Sequence, residues 1–208
     1  MSMYCYQCEQ TAKGTGCTLL GVCGKDPATA ALQDLLVHAA KGIAMYAHRA
    51  AELGARDPEV DRAVIEYLFA TVTNVDFDPK RLQQHLQEAA RIRDAAKRLY
   101  EMAATKAGKL PQLLTGPAAW EPAADLAGLT AQGQEVVISK RQSRLGNDVT
   151  GLQELILYGL KGAAAYADHA RILGQEDPGV YATFHAPLDF LSSDPATTEQ
   201  LLAGPLKT

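Results

Sequence analysis

All four cysteines of this chain lie within nineteen residues near its start, at Cys5, Cys8, Cys17 and Cys23. The spacing C-x2-C-x8-C-x5-C admits three kinds of chemistry: disulfide bonds, a structural zinc ion, or an iron–sulfur cluster. Disulfides belong mostly to exported proteins and to small domains without a sufficient core. They are disfavoured here because the first residues show no secretory signal and a large helical remainder follows the cysteines.

The zinc and iron–sulfur interpretations differ in the shape of the site. Zinc is usually held by two pairs of closely spaced cysteines, and here the second pair is spread by five intervening residues. An iron–sulfur cluster is wider than one ion, so uneven spacing suits it better. Glycine permits the unusual dihedrals that a loop around such a core needs, and the segment contains Gly14, Gly16, Gly21 and Gly24. The pattern favours iron–sulfur over zinc and leaves both open.

Two lysines and two tyrosines of this segment also bear on the predicted site. Lys13 and Lys25 add positive charge near the predicted site. Tyr4 and Tyr6 flank Cys5, where they either shield one face of a cofactor from water or pack the loop against the helices behind it.

The composition of the 208 residues, 47% hydrophobic and 21% charged, is that of a globular protein of one large or two small domains. A formal charge of −4 without a basic run argues against nucleic acid or an anionic membrane as partner. The most apolar stretch, 35–47, contains His38 and Lys41 and is too short to span a membrane. We therefore expect a cytoplasmic protein.

Asp-Pro pairs punctuate the rest of the chain. Asp is a favoured helix N-cap and Pro a favoured first helical residue, so each pair predicts a helix start. The five pairs begin at Asp26, Asp57, Asp78, Asp177 and Asp194. The first three pairs predict helices that end near Gly54, Thr73 and Ala107. Apolar residues follow the first and third pairs at helical spacing. An antiparallel three-helix bundle is expected over 26–108.

The chain also contains an internal repeat. Residues 31–54, ALQDLLVHAAKGIAMYAHRAAELG, align without a gap on residues 151–174, GLQELILYGLKGAAAYADHARILG, and eleven of the 24 positions are identical. Two copies of one helical unit are therefore predicted. In the resulting all-α fold we expect a cofactor loop over 1–25, a first bundle over 26–108, a linker over 109–146 and a second bundle over 147–208. Val136 to Ile138 is a candidate for a short extended piece.

The second bundle is predicted to be incomplete. Its middle helix is expected to break at Pro187. Its third helix, which Pro195 should begin, ends thirteen residues later at Thr208, whereas the counterpart in the first copy runs for nearly thirty residues. The apolar face of its partner helices would then lie open. We expect the chain to be the front portion of a longer protein, or another chain to cover this face.

No other segment carries a known catalytic pattern. The repeat does not preserve the histidines and none forms a spaced pair, so we expect packing roles for His38, His48, His85, His169 and His185. Phosphate-binding and serine-nucleophile motifs are missing, and most acidic residues are expected on solvated helix faces. Both copies contain Lys-Gly, as Lys41-Gly42 and Lys161-Gly162, which close helix contact explains more simply than chemistry.

The cysteine segment resembles the N-terminus of the hybrid-cluster proteins, also called prismane proteins or hydroxylamine reductases. The resemblance begins in residues 5–17, CYQCEQTAKGTGC, and 21–25, GVCGK. It continues in residues 68–74, LFATVTN, and 155–173, with the core GLKGAAAYADHA. It implies a helical domain of two three-helix bundles, in agreement with the repeat.

The resemblance also implies a site and a function. Cys5, Cys8, Cys17 and Cys23 match the family's ligands to a [4Fe-4S] cluster, whereas a longer spacing goes with a [2Fe-2S] centre. In the family, reduction occurs at a hybrid [4Fe-2O-2S] cluster held by later α/β domains, and no cysteine follows Cys23 here. These residues would accept electrons from an external redox protein for a parent enzyme that reduces hydroxylamine to ammonia, or nitric oxide to nitrous oxide, under nitrosative stress.

Two alternatives stand beside this interpretation. The first is a helical interaction module whose loop is pinned by zinc and which has no redox activity. The second is a relationship to the carbon monoxide dehydrogenases, which share the superfamily's clusters. Their N-terminal cysteine pattern differs from the one found here.

Overall fold

In the computed structural model, which describes residues 3–204, the chain is all-helical, as the sequence predicts. The helices are α1 (Pro27–Glu52), α2 (Pro58–Ala70), α3 (Pro79–Lys106), α4 (Leu126–Val136), α5 (Ile138–Leu145), α6 (Asn147–Ile172), α7 (Pro178–Ser192) and α8 (Thr198–Ala203). Short 3-10 turns lie at Ala12–Gly14 and Gly116–Ala119. Within the described residues, no helix combines the length and the apolar character that a membrane crossing needs.

Aspartate side chains cap four of the five helices that Asp-Pro pairs predict. The Asp26 carboxylate accepts a hydrogen bond from the Thr29 amide at 2.7 Å, which satisfies one of the free amides of the first turn of α1. The caps of α2, α3 and α7 are Asp57, Asp78 and Asp177. These four helix starts are therefore confirmed.

The fifth pair does not begin a helix, so the prediction at Asp194 is wrong. Asp194 has a φ of 54°, its carboxylate pairs with Arg144, and it accepts a hydrogen bond from Gln153 Nε2 at 3.1 Å. These partners occupy the oxygens that would cap a helix. Helix α8 begins directly after Thr197 instead, and the Thr197 hydroxyl takes part in a capping box.

The segment between the two repeats contains two helices, and the extended piece predicted there is absent. Helix α4 ends at Val136 and α5 begins at Ile138. Only Val137 between them is extended, with φ −60° and ψ 152°. β-branched residues favour extension locally, but Val136 and Ile138 lie in helices, and only the buried Val137 between them keeps that conformation.

Helix α7 continues through Pro187, so the predicted break is also wrong. Proline inside a helix removes one backbone hydrogen bond. The helix tolerates this loss because its apolar face is buried, including Phe184 and Leu188, and packs against α1.

Helix α1 lies at the centre of the fold and packs against α2, α3, α4 and α7. Its most deeply buried apolar side chains recur at helical spacing and include Leu32, Leu35, Leu36 and Ile43. Helix α2 packs against α6 of the second repeat. The two repeats therefore share one continuous hydrophobic core.

The two repeats bury the same helix face to different extents. Leu35 and Tyr46 of α1 are 0% and 4% exposed, whereas their equivalents in α6, Leu155 and Tyr166, are 66% and 81% exposed. In the first repeat α3 packs on this face, with the rings of Tyr46 and Tyr100 6.3 Å apart. The predicted open face of the second repeat is confirmed for the residues that the structure describes.

The repeated glycines show the same difference. A Cβ on Gly42 would overlap the carbonyl oxygen of Pro117, whereas a Cβ on Gly162 would meet nothing within 4 Å. Close contact therefore explains the glycine of the first copy and does not explain that of the second.

We expect Gly42→Ala to lower the free energy of unfolding by about 2 kcal/mol, because the new methyl group would displace the Pro117 backbone. Gly162→Ala should raise it by about 0.5–1 kcal/mol, because alanine is the better helix former. Urea unfolding followed by circular dichroism measures both variants. Equal effects of the two substitutions would contradict the packing described above.

Candidate metal centre

The four cysteines lie on one irregular loop that precedes α1, and the chain pairs with itself within this loop. The Cys5 amide donates to the Cys17 carbonyl at 3.0 Å, and the Cys17 amide donates to the Cys5 carbonyl at 2.8 Å. The two bonds form an isolated antiparallel bridge. Two of the four predicted ligands are thereby placed side by side, although they are twelve positions apart in the sequence.

Cys17 is the most buried of the four, with 5% of its surface exposed. Its Sγ accepts a hydrogen bond from the Ala12 amide at 3.4 Å, and the Thr11 hydroxyl lies 3.7 Å away. The amides of Ala12 and Val22 lower the pKa of this thiol, because N–H donors stabilise the thiolate. The thiolate is the form that binds iron or zinc, so the backbone around Cys17 favours metal ligation.

Glycine is required at two points of the loop, for different reasons. Gly16 has a φ of 129°, and a Cβ there would lie 2.7 Å from the Tyr4 ring. A Cβ on Gly21 would lie 3.0 Å from Cys23 Sγ. The first glycine provides an unusual dihedral, and the second leaves room beside a predicted ligand.

Cys8 and Cys23 are half-buried, and each adjoins a turn. The Cys8 carbonyl accepts a hydrogen bond from the Thr11 amide at 3.3 Å, and the Gly24 amide donates to the Gly21 carbonyl at 2.9 Å. All four cysteines are free thiols. Among residues 3–204, no three His, Cys, Asp or Glu side chains converge on a point that could hold a single metal ion.

The donor set nevertheless fits an iron–sulfur cluster. Four free thiols lie on one glycine-containing loop, and two backbone amides favour the thiolate of Cys17. Thiolate ligands and N–H donors to sulfur are what such clusters use, and a cluster spans more space than one ion. The structure brings Cys5 and Cys17 together and does not gather all four sulfurs around one ion.

Gln7 attaches the loop to both repeats. Its Nε2 donates to the Thr71 carbonyl at 3.3 Å and to the Thr73 hydroxyl at 3.1 Å, and its Oε1 accepts from Lys161 Nζ at 2.8 Å. The two threonines follow α2, and the lysine lies on α6. The segment beside Cys8 is therefore held at a fixed position on the helices.

Aromatic rings add to this attachment. The rings of Tyr4 and Tyr6 are 5.3 Å apart, and Tyr6 contacts Tyr158 of α6 edge-on at 5.5 Å. Burial raises the pKa of Tyr6 to about 12, so its phenol is neutral at physiological pH. Packing of the loop on the helices, one of the two roles predicted for these rings, is confirmed for Tyr6.

A partly enclosed cavity of about 250 Å³ lies behind the loop and is walled mainly by α1, α5 and α6. Its titratable side chains come in equivalent sets from the two repeats. Those of α1 are Asp34, His38 and Lys41, and their equivalents on α6 are Glu154, Tyr158 and Lys161. Members of each set are four and three positions apart, so they share one helix face.

Burial changes the pKa of each of the three side chains of α1, because the charged form of each loses hydration. It raises the pKa of Asp34 to about 7 and lowers that of Lys41 to about 8. It lowers the pKa of His38 to about 4. Near neutral pH, therefore, His38 is uncharged and Asp34 is half ionised.

Sequence reasoning missed this cavity. Most acidic residues are expected on solvated helix faces, and Asp34 and Glu154 are exceptions because both line the cavity. Close helix contact, the explanation expected for the repeated Lys-Gly pairs, concerns only their glycines. The lysines of both pairs, Lys41 and Lys161, line the cavity. A usable signal was present in the repeat: both copies keep an acidic residue and a lysine seven positions apart on one helix face.

The histidine outside this region with the clearest role is His185, which is 2% exposed. Its Nε2 lies 2.6 Å from Asp61 Oδ1, across the interface between α7 and α2. The packing role predicted for the histidines is confirmed at this position.

The helices, the internal repeat and the cysteine loop together define an all-helical domain with a cysteine-rich N-terminal segment. A profile of the Prismane/CO dehydrogenase family matches residues 3–208, and the chain belongs to this family. Membership implies an iron–sulfur cofactor.

Curated relatives share about half of their aligned residues with this chain. A hydroxylamine reductase of Rhodospirillum rubrum is 52% identical over 200 residues, which cover 96% of this chain and 36% of that protein. One of Geobacter sulfurreducens is 50% identical over 198 residues, 94% of this chain and 36% of that protein. The chain spans little more than a third of the length of these relatives and corresponds to their N-terminal portion.

The raised pKa of Asp34 predicts a specific dependence of stability on pH. Between about pH 4 and pH 7, the unfolded chain has lost this proton while the folded chain keeps it, so stability falls as pH rises. Asp34→Asn removes the titration. At pH 8 we expect its free energy of unfolding to exceed that of the wild type by about 4 kcal/mol, and the difference to become small near pH 4.

Denaturant unfolding at a series of pH values measures this difference. Glu66→Gln is a suitable control, since Glu66 is an exposed carboxylate on α2 and its replacement should change stability little at any pH. A difference between Asp34→Asn and wild type that stays constant from pH 4 to pH 8 would show that the carboxyl has its ordinary pKa.

Proposed function

We propose that this chain is the electron-accepting N-terminal portion of a hydroxylamine reductase of the hybrid-cluster type. Cys5, Cys8, Cys17 and Cys23 hold one [4Fe-4S] cluster in this proposal. The observation that carries it is the C-x2-C-x8-C-x5-C loop in a chain about half identical, over nearly its whole length, to proteins named hydroxylamine reductases.

The residues of the loop would bind and tune the cofactor. When bound, an iron–sulfur cluster supplies a site that gains and loses one electron. The amides that favour the Cys17 thiolate stabilise a ligand sulfur, and N–H donors of this kind raise the electron affinity of a cluster. The ring of Tyr6 packs edge-on against Tyr158 of α6, so in this proposal it would cover the side of the cofactor that faces α6.

The remaining steps of the activity belong to other parts of the parent protein. In this proposal an external redox protein would supply the electron, and a hybrid [4Fe-2O-2S] cluster held by α/β domains of the parent protein would receive it. The reaction there would use two electrons and two protons to convert hydroxylamine to ammonia and water, or two molecules of nitric oxide to nitrous oxide and water. The proposed setting is the cytoplasm under nitrosative stress.

The exposed face of α6 fits this arrangement. Leu155 and Tyr166 are open where their equivalents in α1 are buried by α3. An apolar face of this kind needs a protein cover in a stable, soluble molecule. The proposal assigns that cover to the further domains of the parent protein.

Cys17→Ser tests the ligand assignment. After anaerobic reconstitution with iron and sulfide, we expect about four irons per wild-type chain, a brown colour and a paramagnetic resonance signal on reduction. The serine variant should lose most of this iron and the wild-type signal while keeping its helical circular dichroism, because the helices pack independently of the loop sulfurs.

Thr18→Ala serves as the matched control, because Thr18 is an exposed neighbour of Cys17 and is not a predicted ligand. It should retain the full iron content. A colourless wild-type protein with a single tightly bound zinc would establish the alternative of a zinc-stapled interaction module. A serine variant with undiminished iron and an unchanged signal would refute the role of Cys17.

A further inference from the structure

The cavity behind the cysteine loop is built by the internal repeat. Each copy contributes an acidic residue, an aromatic or imidazole ring and a lysine, and the two sets line one space of about 250 Å³. Positions equivalent by sequence thus meet at a single place in the fold. A close approach of so many charged side chains is costly to bury unless the space between them is polar.

The two sets of side chains differ in their hydrogen bonds and ion pairs. On α6, Glu154 pairs with Arg141, and Lys161 donates to the Gln7 side chain at 2.8 Å. On α1, Asp34 and Lys41 face the cavity without a hydrogen bond or ion pair to another side chain in the part of the chain that the structure describes. The carboxyl of Asp34 is therefore available to exchange a proton with whatever fills the cavity.

Water is the natural content of this space. A cavity of this size has room for about eight water molecules, and polar walls retain them. Gln33 supports this, because its Nε2 donates to the Asp76 carbonyl at 2.7 Å while its buried Oε1 has no partner among residues 3–204. A buried amide oxygen at the cavity wall requires a hydrogen-bond donor, which water provides.

The same cavity borders the cysteine loop. Its wall includes Tyr4, Cys5, Gln7 and Lys25 of the loop. Cys5 is one of the four predicted ligands, so a charge added to the cofactor lies next to the water and side chains of the cavity. Charges interact strongly at such short range in a site with little bulk water.

We propose that the cavity is a proton-uptake site: when one electron enters the cofactor held by the loop, the Asp34 carboxylate takes up one proton through the cavity. This inference rests on the proposed function. The electron comes from the external redox protein and the proton from solvent. The only bond formed in the cavity is the O–H bond of the Asp34 carboxylic acid, and no bond breaks apart from the release of that proton by water.

The charged surroundings of Asp34 suit this role. The groups that face the cavity around it are His38 and Lys41 of α1, Glu135 of α4, Arg141 and Arg144 of α5, Glu154, Tyr158 and Lys161 of α6, Asp194 after α7, and Tyr4, Cys5 and Lys25 of the loop region. Burial, and next the charge of Glu154, raises the pKa of Asp34 to about 7, against the opposing effect of Lys161 and Arg141. A small added negative charge is then enough to change its protonation at physiological pH.

The stoichiometry of the proposed reaction gives this site a use. Reduction of hydroxylamine to ammonia and water consumes one proton for each electron, and so does reduction of nitric oxide to nitrous oxide. A carboxyl that gains a proton with each electron keeps the charge of the buried region constant as electrons arrive. Electron acceptance is thereby made easier at a site shielded from bulk water.

The test is a potentiometric titration of the full chain with its cluster, followed by paramagnetic resonance between about pH 5 and pH 9. Since Asp34 is protonated in both redox states at low pH, the midpoint potential should be constant below about pH 7. Above that pH it should fall, by up to about 59 mV for each tenfold decrease in proton concentration. In Asp34→Asn the fall should disappear, and in the control Glu66→Gln it should remain.

Two further measurements keep the proposal falsifiable if Asp34→Asn fails to hold a cluster. Glu154→Gln removes one of the causes of the raised pKa of Asp34, so the midpoint potential should begin to fall at a lower pH. Infrared difference spectra of the wild type, reduced minus oxidised at about pH 8, should show a gain in the protonated carboxyl band.

The outcomes separate this inference from the function on which it rests. A reducible cluster whose potential is the same at every pH, with no carboxyl band, overturns the proton-uptake site and leaves the electron-transfer function intact. A midpoint potential that still falls with rising pH in Asp34→Asn also overturns the proton-uptake site. A chain that forms no reducible cluster after reconstitution overturns both.

Discussion

Helix α1 is enclosed by its neighbours, and the positions of the loop and the cavity depend on that enclosure. Helices α2, α3, α4 and α7 pack around it, and its remaining side faces the cavity. Because close-packed interiors resist displacement, α1 offers a fixed wall on which the loop is mounted. Gln7 completes the arrangement by binding the end of α2 and Lys161 of α6. The loop is thus positioned by both repeats, although its own sequence forms almost no regular structure.

Local sequence signals predicted much of the fold. Asp26, Asp57 and Asp78 each cap a helix because the side-chain oxygen and the following proline act within one turn, independently of tertiary contacts. Predictions failed where distant residues decide the outcome. Arg144 and Gln153 engage Asp194, so it does not cap a helix. The linker helices were missed because the β-branched run around Val137 favours extension locally, whereas both neighbours of Val137 lie in helices.

The candidate site, like the fold, was predictable from the sequence only in part. Clustering of the cysteines in sequence predicts a metal cofactor because ligands must come close in space, and the loop does bring Cys5 and Cys17 together. The cavity could not be predicted from composition, since Asp34 and Glu154 look like ordinary surface residues of amphipathic helices. Their position in the cavity wall depends on the way the two copies face each other, which no pattern within a single copy reveals. Only the comparison of the two copies carries that information.

The first turn of α1 follows the cysteine loop directly, since Pro27 stands four positions after Cys23. A helix of 26 residues has a partial positive charge at this end, from its aligned peptide dipoles and free amides. An anionic cofactor in the loop would lie within that field, while the carboxylate of Asp26 offsets part of it. Asp26, which follows the loop, therefore has two effects. Its side chain determines where α1 begins, and its negative charge weakens the attraction of the helix dipole for electrons on the cofactor.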